Sequence, residues 1–400
     1  MNKLKELSLR LHSVSVMRDL LHDKVIKALM NFLDLDDEVS DRDKVQAYTL
    51  FVSELYKTSE ESLSRYVKKI VFESENIYVK LKGKGEVPSA VLKKSLENEL
   101  KTFDEVVSLS ADVLLTGFDF LPGYYTEECS ITKDYINRLD NISKYGYGIY
   151  AKYRMFYIGE DGQIVPVQNP DETKLADLID YKREQNVIMD NTKALLAGKP
   201  AANILLTGDA GTGKSSTVKA VVNELYDNGL RIIEVRKEQL HGIPKILDEL
   251  NANPLKFILF IDDLSFTKDD DNFSALKAIL EGSVSAKSNN VVIYATSNRR
   301  HLVKENFSDR EGDDVHFNDT MQELLSLSER FGIQLTFSRP DKATYLDIVH
   351  NLADKQGIAY DTEKLFAAAE KFALKRGTRS ARAAKQFIDG IVAGSITDVI

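Results

Sequence analysis

The chain has 400 residues, 43% of them hydrophobic and 29% charged, which suits two or three globular domains with sizeable cores. The formal net charge of -9 is not gathered in a tail, so the bulk electrostatics attract neither nucleic acid nor an anionic membrane; DNA binding would need a local patch. Cys129 is the one cysteine, which excludes an intramolecular disulfide and a cysteine-rich metal site and fits a reducing compartment. The opening Met1-Asn2-Lys3-Leu4-Lys5-Glu6-Leu7 alternates charge and leucine where a signal peptide needs an unbroken apolar run, and no later run approaches about 18 apolar residues. A cytoplasmic protein with no membrane partner is expected.

From Leu4 to Phe32, the residues Leu4, Leu7, Leu11, Val14, Leu21, Val25, Leu29 and Phe32 recur at helical spacing, until Asp34-Leu35-Asp36-Asp37 breaks the pattern. A second helix is expected from Val45 to Leu55. A third is entered by Thr58-Ser59-Glu60-Glu61, where Thr58 and Glu61 have the spacing of a capping box, and runs to about Glu73. Pro88 to Leu115 reads as one long helix with Gly117 beyond its end, and a short helix follows around Tyr135 to Ile142. Residues 1–145 are therefore an N-terminal, mainly helical domain without a catalytic signature. Its tyrosines and lysines form a solvated face over an apolar core or a partner surface.

Residues 146–170 read as a β-hairpin and linker: strand-like Gly148 to Ile158, the turn Gly159-Glu160-Asp161-Gly162, and the return Gln163 to Gln168. Lys152 and Arg154 among Tyr150, Tyr153 and Phe156 suit either stacking on bases or packing on a neighbouring domain, and no wider basic field accompanies them.

Residues 171–338 carry the chemistry. Lys174 to Gly198 is a short segment plus a helix, and in it Leu178-Ile179-Asp180-Tyr181 either sandwiches an adenine, with Ile179 as the binding residue, or simply starts the helix. Asn203-Ile204-Leu205-Leu206-Thr207 is an apolar strand emptying into Gly208-Asp209-Ala210-Gly211-Thr212-Gly213-Lys214-Ser215-Ser216, a P-loop. Glycines let the backbone curl so that its N–H groups converge where a helix also points its N-terminus, and a polyphosphate fits there. Lys214 would reach the β and γ phosphates and Ser215 would sit on Mg²⁺. A chance match to a glycine-rich turn is the alternative, and the helix through Asn228, with Val218, Val221, Val222 and Leu225 on one face and Gly229 as its stop, argues against it.

Arg231 to Val235 is the next strand, and a helix around Ile243 to Leu250 ends at Asn253-Pro254. Phe257-Ile258-Leu259-Phe260-Ile261-Asp262-Asp263 is a buried strand closed by two carboxylates, of which Asp262 would hold the Mg²⁺ water shell with Ser215 and Asp263 would orient the attacking water. Lys268-Asp269-Asp270-Asp271 lacks the glycine and terminal glutamate of a calcium loop and reads as solvated. After a helix through Phe273 to Leu280, the strand from Asn290 ends at Asn298, placed to contact a γ phosphate. Ser308 to Asp319 is polar and irregular, Met321 to Phe331 is helical, and Ile333 to Phe337 is a strand. Alternating strands and helices imply α/β architecture, a doubly wound parallel sheet with its ligand at the strands' C-terminal ends. Residues 339–400 form a helical tail of Ala343 to Asp354, Thr362 to Lys375 and Ser380 to Ile391.

With these pieces in order, the chain from about Leu175 to Gly390 resembles the AAA+ ATPases: Gly208 to Ser215 as Walker A, Phe257 to Asp263 as Walker B, Asn298 as sensor 1, Arg330 in Ser-Glu-Arg-Phe as the arginine finger and Arg382 as the sensor 2 arginine of a C-terminal helical lid. More narrowly, Leu264-Ser265-Phe266, Ser297-Asn298-Arg299-Arg300-His301-Leu302 and Leu325-Ser326-Leu327-Ser328-Glu329-Arg330-Phe331-Gly332 resemble a bacterial AAA+ family known chiefly as a domain of unknown function. The resemblance implies ATP and Mg²⁺ as cofactors, ATP hydrolysis to ADP, and a homo-oligomeric ring or spiral in which Arg330 acts on a neighbour's nucleotide. It also implies remodelling or loading of a protein or nucleic-acid partner chosen by the N-terminal domain.

Most members have Asp-Glu where this chain has Asp262-Asp263, which makes a nucleotide-gated switch with negligible turnover the alternative. Arg379 is a second sensor 2 candidate. Gln239-Leu240-His241-Gly242 lacks the aromatic pore residue of threading unfoldases, and no helix-turn-helix accompanies the loader-like finger.

Overall fold

A computed structural model describes residues 3–36, 38–114, 118–265, 271–281, 289–298 and 329–396. The chain divides into two compact units, one of Met1–Lys152 with Ala252–Leu255 and one of Tyr153–Asn251 with Lys256–Ile400.

The first unit is helical: α1 (Lys3–His12), α2 (Lys24–Leu33), α3 (Asp41–Tyr56), α4 (Leu63–Glu73), α5 (Ile77–Gly83), α6 (Ala90–Val107), α7 (Ala111–Leu114), α8 (Ile131–Asp140), α9 (Ile142–Tyr145) and α10 (Ile149–Lys152). The apolar stripe from Leu4 to Phe32 is cut into α1, a 3₁₀ turn at Arg18–His22 and α2, because Asp23 caps α2 by accepting from the amides of Val25 and Ile26. Two expectations need correction. Ser62, not Thr58, caps α4 through Arg65 N, while the Thr58 hydroxyl turns back onto Leu55 O and closes α3. The long helix from Pro88 stops at Val107, where the Ser108 hydroxyl takes Glu105 O as its acceptor.

Buried Leu11, Leu29, Phe51, Leu55, Val67, Leu100 and Phe103 form this unit's core, with Cys129 packed on its edge. Burial raises the Cys129 thiol above its ordinary value, as expected of a small apolar side chain. Glu99, buried at the core's margin, accepts from Ser15 N, Ser15 Oγ, Val16 N and Met17 N at 2.8–3.0 Å and fixes the turn after α1.

The second unit is α/β. Its strands are β1 (Met155–Ile158), β2 (Ile164–Pro166), β3 (Ile204–Gly208), β4 (Leu230–Glu234), β5 (Lys256–Ile261), β6 (Val291–Ser297) and β7 (Ile333–Phe337), in the order β2-β1-β4-β5-β6-β3-β7. All pairings are parallel except β1 with β2. The hairpin β1–β2 is thus the sheet's edge, joined through Phe156 opposite Ile233. Gly148 to Lys152, expected to be strand-like, ends instead in helix α10; Tyr150 and Phe156 are buried, while Tyr153 is half-buried with its hydroxyl donating to Gln168 Oε1.

Helices α11 (Lys182–Leu196), α12 (Lys214–Leu225), α13 (Ile243–Asn251) and α14 (Asp271–Glu281) connect the strands, and the lid is α15 (Lys342–Lys355), α16 (Thr362–Arg376) and α17 (Ala381–Val392). The sheet core is Ile204, Leu206, Ile232, Ile258, Phe260 and Tyr294 under Val218, Val221 and Val222 of α12; the lid has its own core around Tyr345, Leu365 and Phe387. P-loop strand β3 lies one strand in from the β7 edge, flanked by β6 and β7, which places its C-terminal end at the crevice where the strand order reverses. The readings of residues 266–270, of Ser308 to Asp319, of Arg299-Arg300-His301-Leu302 and of most of Met321 to Phe331 lie outside the described residues.

Candidate nucleotide-binding site

The site begins where β3 stops. Gly208 has φ +134°, and a Cβ there would lie 2.1 Å from Phe337 O, so the glycine is required by the close approach of β7. Gly211 and Gly213 take φ +79° and +94°, and α12 starts at Lys214. Among the described residues, the backbone N–H groups of Gly211, Thr212, Gly213, Lys214, Ser215 and Ser216 donate to no protein acceptor. Buried or half-buried amides are seldom left so, and a row of them curled at a helix N-terminus is an anion cradle.

Lys214 is buried, and its Nζ donates to Gly208 O and Asp209 O at 2.8 Å each and to Asn298 Oδ1 at 3.0 Å. Burial lowers the ammonium below the ordinary lysine value, against the opposing pull of Asp262, Asp209 and Asp263. Asn298 Nδ2 donates to Asp263 Oδ1 at 2.6 Å, so one amide side chain joins the lysine to the second carboxylate. Ser215 Oγ donates to Asp262 Oδ1 at 2.6 Å. Thr296 Oγ1 donates to the same oxygen at 2.5 Å and accepts from Asp263 N at 2.9 Å. Asp263 is in the left-handed region, φ +54°, at the turn leaving β5.

These groups line one end of a cleft of about 710 Å³, a volume that suits a nucleotide. Ile179, Tyr181, Ile348 and Leu352 line it as well, joined by Arg382 and Lys385 of α17 and by Asp177 and Lys355. Tyr181 packs its ring at a tilt against Phe337, centroids 4.7 Å apart, and donates its hydroxyl to Ser338 O, while Gln185, buried beneath, donates to Asp180 O at 2.8 Å and fixes the approach segment.

Arg382 N donates to Gly211 O at 3.2 Å, which brings the lid onto the P-loop. Arg379 instead clamps Glu370 through Nε and Nη2, 3.0 Å each, within the lid. Of the expected site residues, Ala210 to Ser216, Ile179, Asp262, Asp263, Asn298 and Arg382 line the cleft. Gly208 lies under it as an acceptor for Lys214, and Asp209 turns its carboxylate to Arg339, 3.5 Å away. Arg330 does not line the cleft; its Nη2 pairs with Glu281 at 2.5 Å.

Thr296, Arg339, Ile348, Leu352, Lys355 and Asp177 escaped the sequence reading. Thr296 had a signal, since residues two apart on a strand share a face and Thr296 precedes Asn298 by two. Ile348, Leu352 and Lys355 have the spacing of a helix face, legible as a stripe but not as one turned to a ligand.

A family model described as "Protein of unknown function (DUF815)" matches residues 151–395. The chain belongs to this family. The DUF815 span takes in the whole of the sheet, the cleft and the lid. No curated protein matches the chain. Among solved structures it is similar to C. elegans PCH-2, at 19% identity and a TM-score of 0.39 over 56% of this chain and 66% of that one. It is also similar to a DNA replication initiation factor, at 17% identity and a TM-score of 0.37 over 55% and 64%. The match thus covers just under two thirds of each of those chains.

P-loop, Walker B strand and helical lid come together on a doubly wound sheet, an AAA+ ATPase-like fold. Among the described residues no three His, Cys, Asp or Glu side chains gather as a metal cage. Ser215 Oγ and Asp262 Oδ1, 2.6 Å apart, are an adjacent hydroxyl and carboxylate of the kind that can hold Mg²⁺ together with phosphate oxygens. No helix among the described residues is long and apolar enough to cross a membrane.

Proposed function

We propose that this protein binds ATP with Mg²⁺ in the cleft between sheet and lid, hydrolyses it, and assembles through its nucleotide sites to act on a macromolecular partner. The observation that carries the reading is the row of unpartnered amides from Gly211 to Ser216 beside the Lys214–Asn298–Asp263 chain. The amides and Lys214 hold the phosphates, and Ile179, Tyr181, Ile348 and Leu352 hold the base. Mg²⁺ would be held by the oxygens of Ser215 and Asp262 and would supply neutralisation of the phosphate charge. Asp263, steadied by Asn298, takes the position of the residue that orients water. Arg382 adds positive charge from the lid, and such preorganised charge is most of what phosphoryl transfer asks of a protein.

Arg330 stands apart from the chain's own cleft, which supports its action on a neighbouring subunit. The partner, protein or nucleic acid, would be selected by the helical first unit.

The test is steady-state hydrolysis against protein concentration for wild type, Lys214→Ala and Arg330→Ala, with mass measured in parallel. Specific activity should rise with assembly, vanish with Lys214→Ala, and fall with Arg330→Ala while ATP still binds. Full activity of Lys214→Ala would refute the site. A second reading, a nucleotide-gated switch, is favoured by the short Asp263 carboxylate and its close bond to Asn298; tight ATP binding without turnover at any concentration would select it.

A further inference from the structure

The root of the lid is tied to the P-loop and to the approach segment. Arg339 pairs with Asp209 at 3.5 Å, Arg382 N donates to Gly211 O at 3.2 Å, and the Tyr181 hydroxyl reaches Ser338 O. All lie near the start of α15 or α17. The far end of α15 is a different matter: Lys355 is its last residue, roughly 20 Å along the helix axis from Lys342 at 1.5 Å per residue. There Lys355 Nζ donates to Asp177 Oδ1 at 2.7 Å, and both side chains line the cleft.

Ile348, Leu352 and Lys355 form one face of α15, so the two apolar residues over the base and the lysine at the mouth move as a unit. Asp177 is already fixed before the lysine arrives, because its Oδ2 accepts from Lys174 N at 2.9 Å in the 3₁₀ turn Leu175–Asp177. Only the lysine has to be ordered, and its charge sits where the C-terminal carbonyls of α15 favour a cation.

We propose that Asp177 and Lys355 are a positioning pair that closes the nucleoside end of the cleft, holding the tip of α15 to the approach segment and setting how long a bound nucleotide is retained. The inference rests on nucleotide binding in this cleft, the reading given above. A contact at the tip of a long lever limits opening more than an equal contact at its root, so a single pair at the mouth governs escape of the nucleoside while the P-loop governs grip on the phosphates. The pair is about half exposed on both sides, so its effect is modest and sensitive to salt.

The experiment is stopped-flow dissociation of a fluorescent ADP analogue from the full-length protein, for wild type, Asp177→Asn, Lys355→Met and the double variant. Asp177→Asn keeps the side-chain shape and Lys355→Met keeps an unbranched apolar stem, and each removes one charge. Each should release the analogue about two- to fivefold faster, the range an exposed pair supports. The double variant should be no faster than either single, since the pair is lost once. High salt should bring the wild type to the variants' rate, and melting without nucleotide should not change, which separates a closing role from a structural one.

Wild-type or slower dissociation in the single variants, or multiplied effects in the double variant, would overturn the pair while leaving the site intact. Failure of the wild type to bind the analogue would overturn the nucleotide reading, and the pair with it.

Discussion

Thr296→Val tests the least visible part of the site. The substitution keeps the branched shape and removes one hydroxyl, which donates to Asp262 Oδ1 at 2.5 Å and accepts from Asp263 N at 2.9 Å. Thr296 is 2% exposed, so no water replaces the hydroxyl from its own side, whereas Asp262 opens to the cleft and regains some solvation. A bond to a charged carboxylate contributes about 1.5–3 kcal/mol and one to an amide about 1 kcal/mol, and the lower end applies where the carboxylate is wetted. The nucleotide-free protein should lose about 2 kcal/mol. The larger effect is directional: Asp262 Oδ1 is shared with Ser215, and without Thr296 the carboxylate is free to turn away from the hydroxyl it pairs with.

The P-loop cradle is untouched, so ATP affinity without Mg²⁺ should change by less than about threefold, while the gain in affinity from Mg²⁺ should fall about tenfold or more, the equivalent of about 1.4 kcal/mol. Isothermal titration with and without Mg²⁺ measures both, and Thr296→Ser should restore the wild-type value. An unchanged Mg²⁺ dependence in Thr296→Val would refute the role assigned to the hydroxyl.

Glu99→Gln should destabilise the first unit by about 2–4 kcal/mol, because one amide cannot accept from all of Ser15 N, Ser15 Oγ, Val16 N and Met17 N; a denaturant melt of the intact chain measures it. Arg379→Ala should loosen the lid slightly, as an exposed pair allows, and lower turnover less than Arg382→Ala, because of the two only Arg382 lines the cleft. Burial pushes Tyr48 and Tyr135 up to about 12. Their folded values lie above the unfolded value of about 10, so their contribution is complete below about pH 10 and falls by about 1.4 kcal/mol per group per pH unit as pH rises towards 12. Ionisation of these two tyrosines should therefore accompany unfolding of this unit, and titration of either with the helices intact would refute that coupling.

What the sequence made legible was local. The P-loop, the carboxylates after β5 and the polar tip of β6 are contiguous stretches in which strand, turn and helix signals adjoin, so their placement follows from a dozen residues at a time. Element edges in the first unit were less legible because a serine beside a helix has two uses: Ser62 capped forwards where Thr58 had the better spacing, and Ser108 ended a helix whose apolar stripe continued past it. The hairpin's place on the sheet edge depends on β1 meeting β4, a pairing between distant segments that no local pattern encodes. Asp177 and Lys355 are farther apart still, and each alone is an ordinary surface charge.

The exchange of the usual glutamate for Asp263 has a counterpart in the backbone. Asp263 turns left-handed, at a cost of roughly 1–2 kcal/mol for a residue with a Cβ, and the turn is held by Asp263 N on Thr296 Oγ1 and by Leu264 N on Thr296 O at 2.7 Å. The shorter carboxylate is thereby delivered to Asn298, whose other end holds Lys214. An ammonium has three N–H donors, and Lys214 has an acceptor for each: Gly208 O, Asp209 O and Asn298 Oδ1. For Lys214 to grip a phosphate it must release one of them, and the bond to Asn298 is the longest. Its release frees Asn298 at one end while the other still carries Asp263. On the proposed function, phosphate binding at the P-loop and the orientation of the second carboxylate would be linked through one amide side chain, so the state of Asp263 would depend on whether the cradle is filled.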